Sequence, residues 1–173
     1  MKAVVLFDRI CVAVATNLYL SYIPVRFSKG TRFALVRRWT GAGLVGSLVG
    51  WGLLYTLPKG DLPFAVALAA GITIAIITSH RAERHFKTHD DPRIIVDETV
   101  GYWTAVAWLP REPGLLLLGL VLFRFFDAVK LPPYRWLERL PGGAGVVMDD
   151  IGAGVAANLL LRGLCMAWPG LLG

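Results

Sequence analysis

The chain has 173 residues, a length that one hydrophobic core can serve, so we expect a single domain over residues 1–173. Its hydrophobic fraction of 55% and mean hydropathy of +0.58 exceed those of an ordinary soluble domain, which predicts that part of the surface faces lipid. The formal net charge is +6, but no segment carries a nucleic-acid-binding motif and the basic residues flank apolar runs. We therefore attribute the positive charge to the orientation of the chain in a membrane and to binding of an anionic substrate, and we expect no nucleic-acid partner.

Near the N-terminus, an apolar run is broken by Asp8 and Arg9 and has no clear small-residue cleavage site. We therefore predict no cleaved signal peptide. The chain contains two cysteines, Cys11 and Cys165, which lie far apart in apolar stretches. This pattern excludes a disulfide-dense scaffold and predicts buried free thiols.

A first helical hairpin is predicted at about residues 39–79. Two apolar segments, 42–57 and 64–78, flank a polar turn at 58–63. Each is near the lower length limit for crossing a bilayer, which takes about 20 helical residues, so a partly re-entrant hairpin is an alternative. Basic residues precede and follow the hairpin and only Lys59 lies in its turn. The positive-inside tendency therefore places both ends in the cytoplasm.

A second hairpin is predicted from residues 100–109 and 115–123, with a turn at 110–114, and a closing helix over 151–167. The apolar runs are long and rich in Ala, Leu and Gly rather than alternating with polar residues, which argues against strands. We therefore expect an all-α fold, a compact multi-helix bundle with membrane-embedded helical hairpins. The topology predicts a multi-pass protein of the cytoplasmic (inner) membrane.

The acidic residues are unevenly distributed. Seven fall at the edges of apolar segments on the predicted cytoplasmic side, whereas Asp61 and Glu112 lie in the opposite turns. Carboxylates near apolar helix ends are costly unless they are neutralised, and Mg²⁺ prefers oxygen ligands and retains water that a phosphate can replace. The sequence therefore predicts a magnesium site. Its candidate ligands are Asp97, Glu98, Asp127, Asp149 and Asp150; pairing with nearby Arg and Lys is the alternative.

The segment 123–130 places Arg124, Asp127 and Lys130 on one helical face, because they are three residues apart. A carboxylate between two cations suits a metal ligand flanked by phosphate-binding charges. An intrahelical ladder of ion pairs is the alternative interpretation.

Two further pairs of acids open apolar segments. Neighbours on a helix point about 100° apart, so we expect Asp97 and Glu98 to face different directions, one as a metal ligand and the other as a base or as a ligand of a second ion. Stabilisation by the helix dipole is the alternative. Asp149 and Asp150 are expected at a helix start, after a flexible glycine turn that includes Gly143 and permits close backbone approach.

Other polar candidates carry weaker signals. Gly46 and Ser47 are candidates for presenting backbone N–H groups to an anion at a helix start, although a glycine-rich packing face explains them nearly as well. His85 and His89 are four residues apart, but solvated interface residues are favoured over a zinc site. Neither a GxSxG elbow nor a CxxxxxR loop occurs, so covalent Ser or Cys catalysis is unsupported.

Three segments together resemble the phosphatidylglycerophosphatase A family. They are HDDPRIIVDETVG (89–101), FRFFDAVKLPPYRW (123–136) and GGAGVVMDDIGAG (142–154), which define a motif-bearing region over 89–154. The N-terminal half resembles the family less. Gly46-Ser47-Leu48 matches the end of a glycine-rich segment, whereas Ala42, Gly43 and Leu44 stand where the family has Pro, Gly and Thr. Residues 26–40 look like a basic insertion.

The resemblance implies a Mg²⁺-dependent, membrane-bound phosphatase of phospholipid biosynthesis that converts phosphatidylglycerophosphate to phosphatidylglycerol at the cytoplasmic face. It implies that the five acids named above bind one Mg²⁺ or two, and that Arg124 and Lys130 bind the phosphate, with Gly46, Ser47 and Gly143 beside it. Either a water or an aspartate is the attacking group, and a homo-oligomer remains open. The alternatives are a phosphatase for a different lipid phosphate, a non-catalytic lipid-phosphate-binding or scaffold relative, and a transporter, which would carry its acids near mid-span.

Overall fold

The computed structural model describes residues 2–28, 40–129 and 136–168, and these residues form helices and turns without any strand. The all-α prediction is thereby confirmed. The α-helices are α1 (Lys2–Ala15), α2 (Tyr22–Ser28), α3 (Ala42–Leu54), α4 (Asp61–Phe86), α5 (Val96–Ala105), α6 (Pro113–Val129) and α7 (Gly143–Ala167), with a short 3₁₀-helix at Leu137–Arg139. Cys11 and Cys165 are buried free thiols, as predicted.

Helix α5 is the centre of the bundle and packs against α3, α4, α6 and α7. All of its residues except the half-buried Glu98 are buried. Its ten residues extend about 15 Å, about half the thickness of a bilayer's hydrocarbon core. The apolar run 100–109, predicted as one arm of a membrane hairpin, therefore reflects burial within the protein.

Side-chain hydrogen bonds to backbone carbonyls fix α5 against α3. Trp103 Nε1 donates to the Gly50 carbonyl over 2.8 Å, and the Thr99 hydroxyl donates to the Gly46 carbonyl over 3.0 Å. At Gly46 a Cβ atom would lie 2.5 Å from the Ile95 carbonyl oxygen, so a side chain there would force α3 away from α5. Gly46 is therefore required for close packing of these two helices.

The C-terminal end of α5 is capped by side chains of α7. Asn158 Nδ2 donates to the carbonyls of Ala105 and Ala107 over 2.9 and 3.0 Å, and Arg162 Nη2 donates to the Ala107 carbonyl over 3.0 Å. The last carbonyls of a helix have no partner within it and are costly to bury unpaired. Arg162, the one charge in the predicted closing helix, thus stabilises the C-terminal end of α5 by a hydrogen bond to its backbone.

Helices α4 and α7 are long and apolar enough to cross a membrane, whereas α3 is shorter. Helices α3 and α4 are joined by a short polar connection, and α4 extends to Phe86 rather than ending near residue 78. The two helices pack mainly on different neighbours, α3 on α5 and α4 on α1 and α7. The closing helix begins at Gly143 instead of 151, after Gly142 with a φ of 63°. Asp149 and Asp150 therefore lie about two turns inside α7, not at its start. The glycine stretch becomes helical because Gly143 and Gly145 are buried against the bundle.

Candidate active site

Three carboxylates converge where the N-terminal end of α5 meets α7. One oxygen from each of Asp97, Glu98 and Asp150 lies within 4.8 Å of the other two. Gly101 allows this approach, since a Cβ atom there would lie 3.0 Å from Asp150 Cβ. Small residues at the α5–α7 contact therefore bring acids that are about fifty positions apart in the sequence into one cluster.

The positions of Asp97 and Glu98 correct an expectation from the sequence. Adjacent residues leave a helix about 100° apart, yet one oxygen of Asp97 lies within 4.8 Å of one oxygen of Glu98. The two side chains differ in length and have rotatable bonds, so the directions of their Cα–Cβ bonds do not decide where the oxygens lie. Both acids, together with Asp150, can therefore address a single ion.

The cluster contains oxygen atoms that lack hydrogen-bond partners. Asp97 Oδ1, Glu98 Oε2 and Asp150 Oδ2 are buried, and no described residue donates a hydrogen bond to them. Burial, followed by the nearby charges of Glu98 and Asp150, raises the pKa of Asp97 well above its ordinary value. Burial also raises the pKa of Glu98, although its hydrogen bond with Asp97 and the charge of Arg124 act in the opposite direction. The protein alone thus leaves these carboxylates poorly compensated.

Arg124 is the cation nearest to the cluster among the described residues. Its Nη1 lies 2.8 Å from Asp127 Oδ2 and 3.9 Å from Glu98 Oε1. Asp127, predicted as a metal ligand, is thus the ion-pair partner of Arg124 and lies outside the close trio of Asp97, Glu98 and Asp150. The predicted contact between residues three apart in α6 is present, whereas Lys130 lies outside the described residues.

The other predicted site residues are placed as follows. Asp149 is buried beside Asp150 on α7, but it does not belong to the close trio. Ser47 is buried and donates its hydroxyl to the Gly43 carbonyl of its own helix over 2.9 Å. Gly143 packs against α4, where a Cβ atom would lie 3.0 Å from His80 Cα. Gly46, Ser47 and Gly143 are not among the residues that line the cavity described next.

A cavity of about 340 Å³ opens beside the acidic cluster. Asp97, Glu98 and Arg124 form its charged wall, and Thr40, Gly43 and Asp90 are among the residues that line the rest. At Gly43 a Cβ atom would lie 2.7 Å from both terminal nitrogens of Arg124, so glycine leaves space for the guanidinium group. Thr40 carried no signal in the sequence, whereas Asp90 is one of the seven acids predicted on the cytoplasmic side, although it is not among the predicted ligands. Gly43 carried a signal, because it occupies the glycine position of the family's Pro-Gly-Thr segment.

The trio fits Mg²⁺ by its donor set. All three side chains offer carboxylate oxygens, which this ion prefers, and three buried oxygens have no hydrogen bond from a described residue. A divalent cation would offset the repulsion among the three acids. Zinc is less suited, because no candidate ligand group among the described residues contains a histidine. His89 follows the end of α4 at Phe86, so it shares no helical face with His85.

The bundle and its site define a class: a helical protein with two potential membrane spans and an acidic cluster beside a cavity of about 340 Å³, which Arg124 lines. The family model described as Phosphatidylglycerophosphatase A matches residues 26–165. The chain belongs to this family, whose members are lipid phosphatases, and is a phosphatase.

Several curated proteins are similar to the chain. Phosphatidylglycerophosphatase A of Escherichia coli is 34% identical over 132 residues, which are 73% of this chain and 76% of that protein. The Haemophilus influenzae protein of the same name is 30% identical over 124 residues, 70% of this chain and 75% of that one. A Bacteroides thetaiotaomicron protein, provisionally named a phosphatidylinositol-3-phosphatase, is 32% identical over 147 residues, which are 82% of this chain and 92% of that protein. No solved structure matches the chain.

Proposed function

We propose that the chain hydrolyses phosphatidylglycerophosphate to phosphatidylglycerol and inorganic phosphate, with Mg²⁺ bound by Asp97, Glu98 and Asp150. One observation carries this proposal: Asp97, Glu98 and Asp150 each have a buried carboxylate oxygen without a hydrogen bond from a described residue, and Asp97 and Glu98 line a cavity together with Arg124. A metal ion satisfies those oxygens and a phosphate monoester satisfies the arginine. The names of the relatives in E. coli and H. influenzae support the choice of substrate.

Arg124 binds and orients the phosphate in this proposal. Its guanidinium is a planar donor that matches phosphate oxygens, and Asp127 holds it from one side at 2.8 Å. Gly43 keeps the space in front of the guanidinium open. Arg124, Asp127 and Gly43 therefore set the direction from which the phosphate enters the cavity.

The reaction breaks the bond between phosphorus and the ester oxygen of the head-group glycerol and forms a bond between phosphorus and a water oxygen. When bound, Mg²⁺ supplies positive charge that stabilises the phosphoryl group in the transition state. A carboxylate of the cluster accepts the proton of the attacking water, and the departing glycerol oxygen takes up a proton. The low-dielectric surroundings of the buried acids strengthen these charge interactions.

Two long apolar helices support a membrane setting for this reaction. The diacylglycerol tails remain in lipid beside α4 and α7, and the head group reaches the cavity from the surface. The many Arg and Lys residues between the apolar segments favour the cytoplasmic side of the inner membrane for this surface, with more than one crossing.

A phosphatase for a different lipid phosphate is the second candidate, favoured by the Bacteroides thetaiotaomicron relative whose provisional name specifies phosphatidylinositol-3-phosphate chemistry. The same acids and arginine would serve any phosphate monoester on a lipid. The two candidates therefore differ in the head group that the rest of the cavity accepts and not in the chemistry of the cluster.

The test is a phosphate-release assay with purified protein in detergent micelles. The lipids are phosphatidylglycerophosphate, phosphatidylinositol 3-phosphate and phosphatidic acid, each with Mg²⁺ and with EDTA. We expect release from the first lipid only, lost with EDTA and restored by excess Mg²⁺. Asp61→Asn, an exposed acid at the start of α4, is the matched control and should retain activity. Preference for another lipid would correct the substrate, and turnover of none of them would favour a non-catalytic relative.

A further inference from the structure

Glu83 is a buried acid in the last two turns of α4, and only 8% of its surface is exposed. Its Oε1 accepts a hydrogen bond from the Asp90 backbone N–H over 3.0 Å and contacts His89 Nδ1 at 2.5 Å. A carboxylate near the C-terminal end of a helix is disfavoured by the helix dipole, and burial adds to that cost. Its place there therefore depends on the contacts that it makes with the segment that follows α4.

That segment, residues 87–94, is a tight turn. Lys87 and Asp90 have φ values of 55° and 51°, a left-handed conformation that is unfavourable for residues with a side chain. Arg93 pairs with Asp91 through two contacts of 2.7 and 2.8 Å, and its guanidinium lies 3.8 Å from the centre of the Phe86 ring. The hydrogen bond from Asp90 to Glu83 thus holds one of the two strained residues of the turn.

The far side of this turn forms a wall of the substrate cavity. Asp90, Pro92 and Ile94 line the cavity, next to Asp97 of the acidic cluster. Glu83 itself does not line the cavity and does not belong to the trio of Asp97, Glu98 and Asp150. It therefore lies behind the wall and contacts it through the Asp90 backbone.

We propose, as an extension of the function proposed above, that Glu83 is a positioning residue for lipid head-group binding. By holding the Asp90 backbone, it keeps the turn at residues 87–94 in the shape that forms the cavity wall. Its loss loosens the wall but leaves the trio in place, because Asp97 and Glu98 are anchored separately by α5. Substrate affinity therefore changes more than the chemical step.

The kinetic test is Glu83→Ala in micelles at saturating Mg²⁺. We expect KM for the lipid to rise roughly tenfold, as for loss of one charge-assisted hydrogen bond, and kcat to stay within about twofold. Glu83→Gln, whose amide oxygen can still accept from the Asp90 N–H, should restore most of the affinity. His85→Ala, an exposed neighbour on the same turn of α4, is the control and should leave KM unchanged. A purely destabilising substitution would lower the active fraction, and hence kcat, without raising KM.

Hydrogen exchange of the protein without substrate tests the same contact independently of which lipid is hydrolysed. Peptides covering residues 87–94 should exchange faster in Glu83→Ala than in wild type, while peptides of α5 remain unchanged.

If Glu83→Ala does not fold, Glu83→Asp, which keeps the charge but shortens the side chain, should show the same faster exchange and higher KM. Unchanged exchange and unchanged KM would overturn the proposal, as would a loss of kcat alone. If the wild type hydrolyses none of the lipids, only the proposed function fails, and exchange still decides the role of Glu83.

Discussion

Arg124 Nη1 lies 2.8 Å from Asp127 Oδ2, one helical turn along α6. This ion pair gives Asp127 a different role from the other acids around the site. Asp127 neutralises and orients the arginine, while Asp97, Glu98 and Asp150 form the close trio. Both arrangements use carboxylates that the sequence places in one motif-bearing region. Changing an acid of the trio to an amide should therefore affect activity and the Mg²⁺ requirement differently from changing Asp127.

Asp150→Asn should reduce activity by roughly a hundredfold or more, because it removes an oxygen from the proposed metal site and a charge from the transition-state environment. It should also raise the Mg²⁺ concentration needed for half-maximal activity. Asp127→Asn should lower activity by roughly tenfold and leave the Mg²⁺ requirement unchanged, since Asp127 acts through Arg124. Titration of activity with Mg²⁺ checks both. An equal shift of the Mg²⁺ requirement in the two variants would instead make Asp127 a ligand.

The stability of the metal-free protein should fall as pH rises. The pKa values of Asp97 and Glu98 are raised in the folded protein, mainly by burial, so the stability that protonation provides is lost as pH increases through those raised values. Melting temperatures in EDTA should therefore decrease as pH rises above the ordinary carboxyl pKa of about 4, and the decrease should be smaller in Asp97→Asn.

Excess Mg²⁺ should reverse this trend, because the ion binds deprotonated carboxylates and stabilises the folded state by mass action. The same melting measurements with Mg²⁺ check this outcome. A metal-free melting temperature that rises with pH in wild type, or a slope that is the same in Asp97→Asn, would contradict the assignment of buried, mutually repelling acids.

Gly43→Ala should abolish most activity while leaving the fold intact. Its Cβ atom would clash with Glu98 Oε1 and lie 2.7 Å from both terminal nitrogens of Arg124, so both side chains must move from their places in the site. Gly52→Ala is the matched control on the same helix, because nothing lies within 4 Å of its added Cβ. The control should be active and slightly stabilised, by up to about 1 kcal/mol from helix propensity. Phosphate release and thermal melting check both variants, and equal activity of the two would show that Glu98 and Arg124 have room to adjust.

Asn158→Leu should destabilise the fold by about 1–3 kcal/mol, since it leaves the Ala105 and Ala107 carbonyls without the Asn158 donor at the end of α5. Arg162 would still donate to Ala107. Activity per folded molecule should be retained, because Ala105, at this end of α5, is eight residues from Asp97. Denaturant unfolding in detergent measures the change. Asn158→Asp, which removes the amide donor with little change of shape, should destabilise at least as much, and an unchanged midpoint in both variants would exclude the capping role.

Much of the architecture follows from sequence alone. Long apolar runs without alternation predict helices, and the polar connection after Leu54 predicts the break between α3 and α4, because both signals are local. The length of α5 could not be predicted in this way. An apolar run has the same composition whether lipid or protein surrounds it, so only the packing of α3, α4, α6 and α7 shows that this helix is buried.

The amino-acid sequence by itself determined the helical class, the family and the acids and arginine from which the site is built. Tertiary structure decided which of five predicted acids meet, because Asp150 reaches Asp97 and Glu98 only where Gly101 lets α7 approach α5. It also decided that Asp127 serves Arg124 and that Gly43, Asp90 and Glu83 contribute to the cavity or its wall. The physical reason is that periodicity and composition report on neighbours along the chain. Distances between helices depend on how closely their surfaces pack.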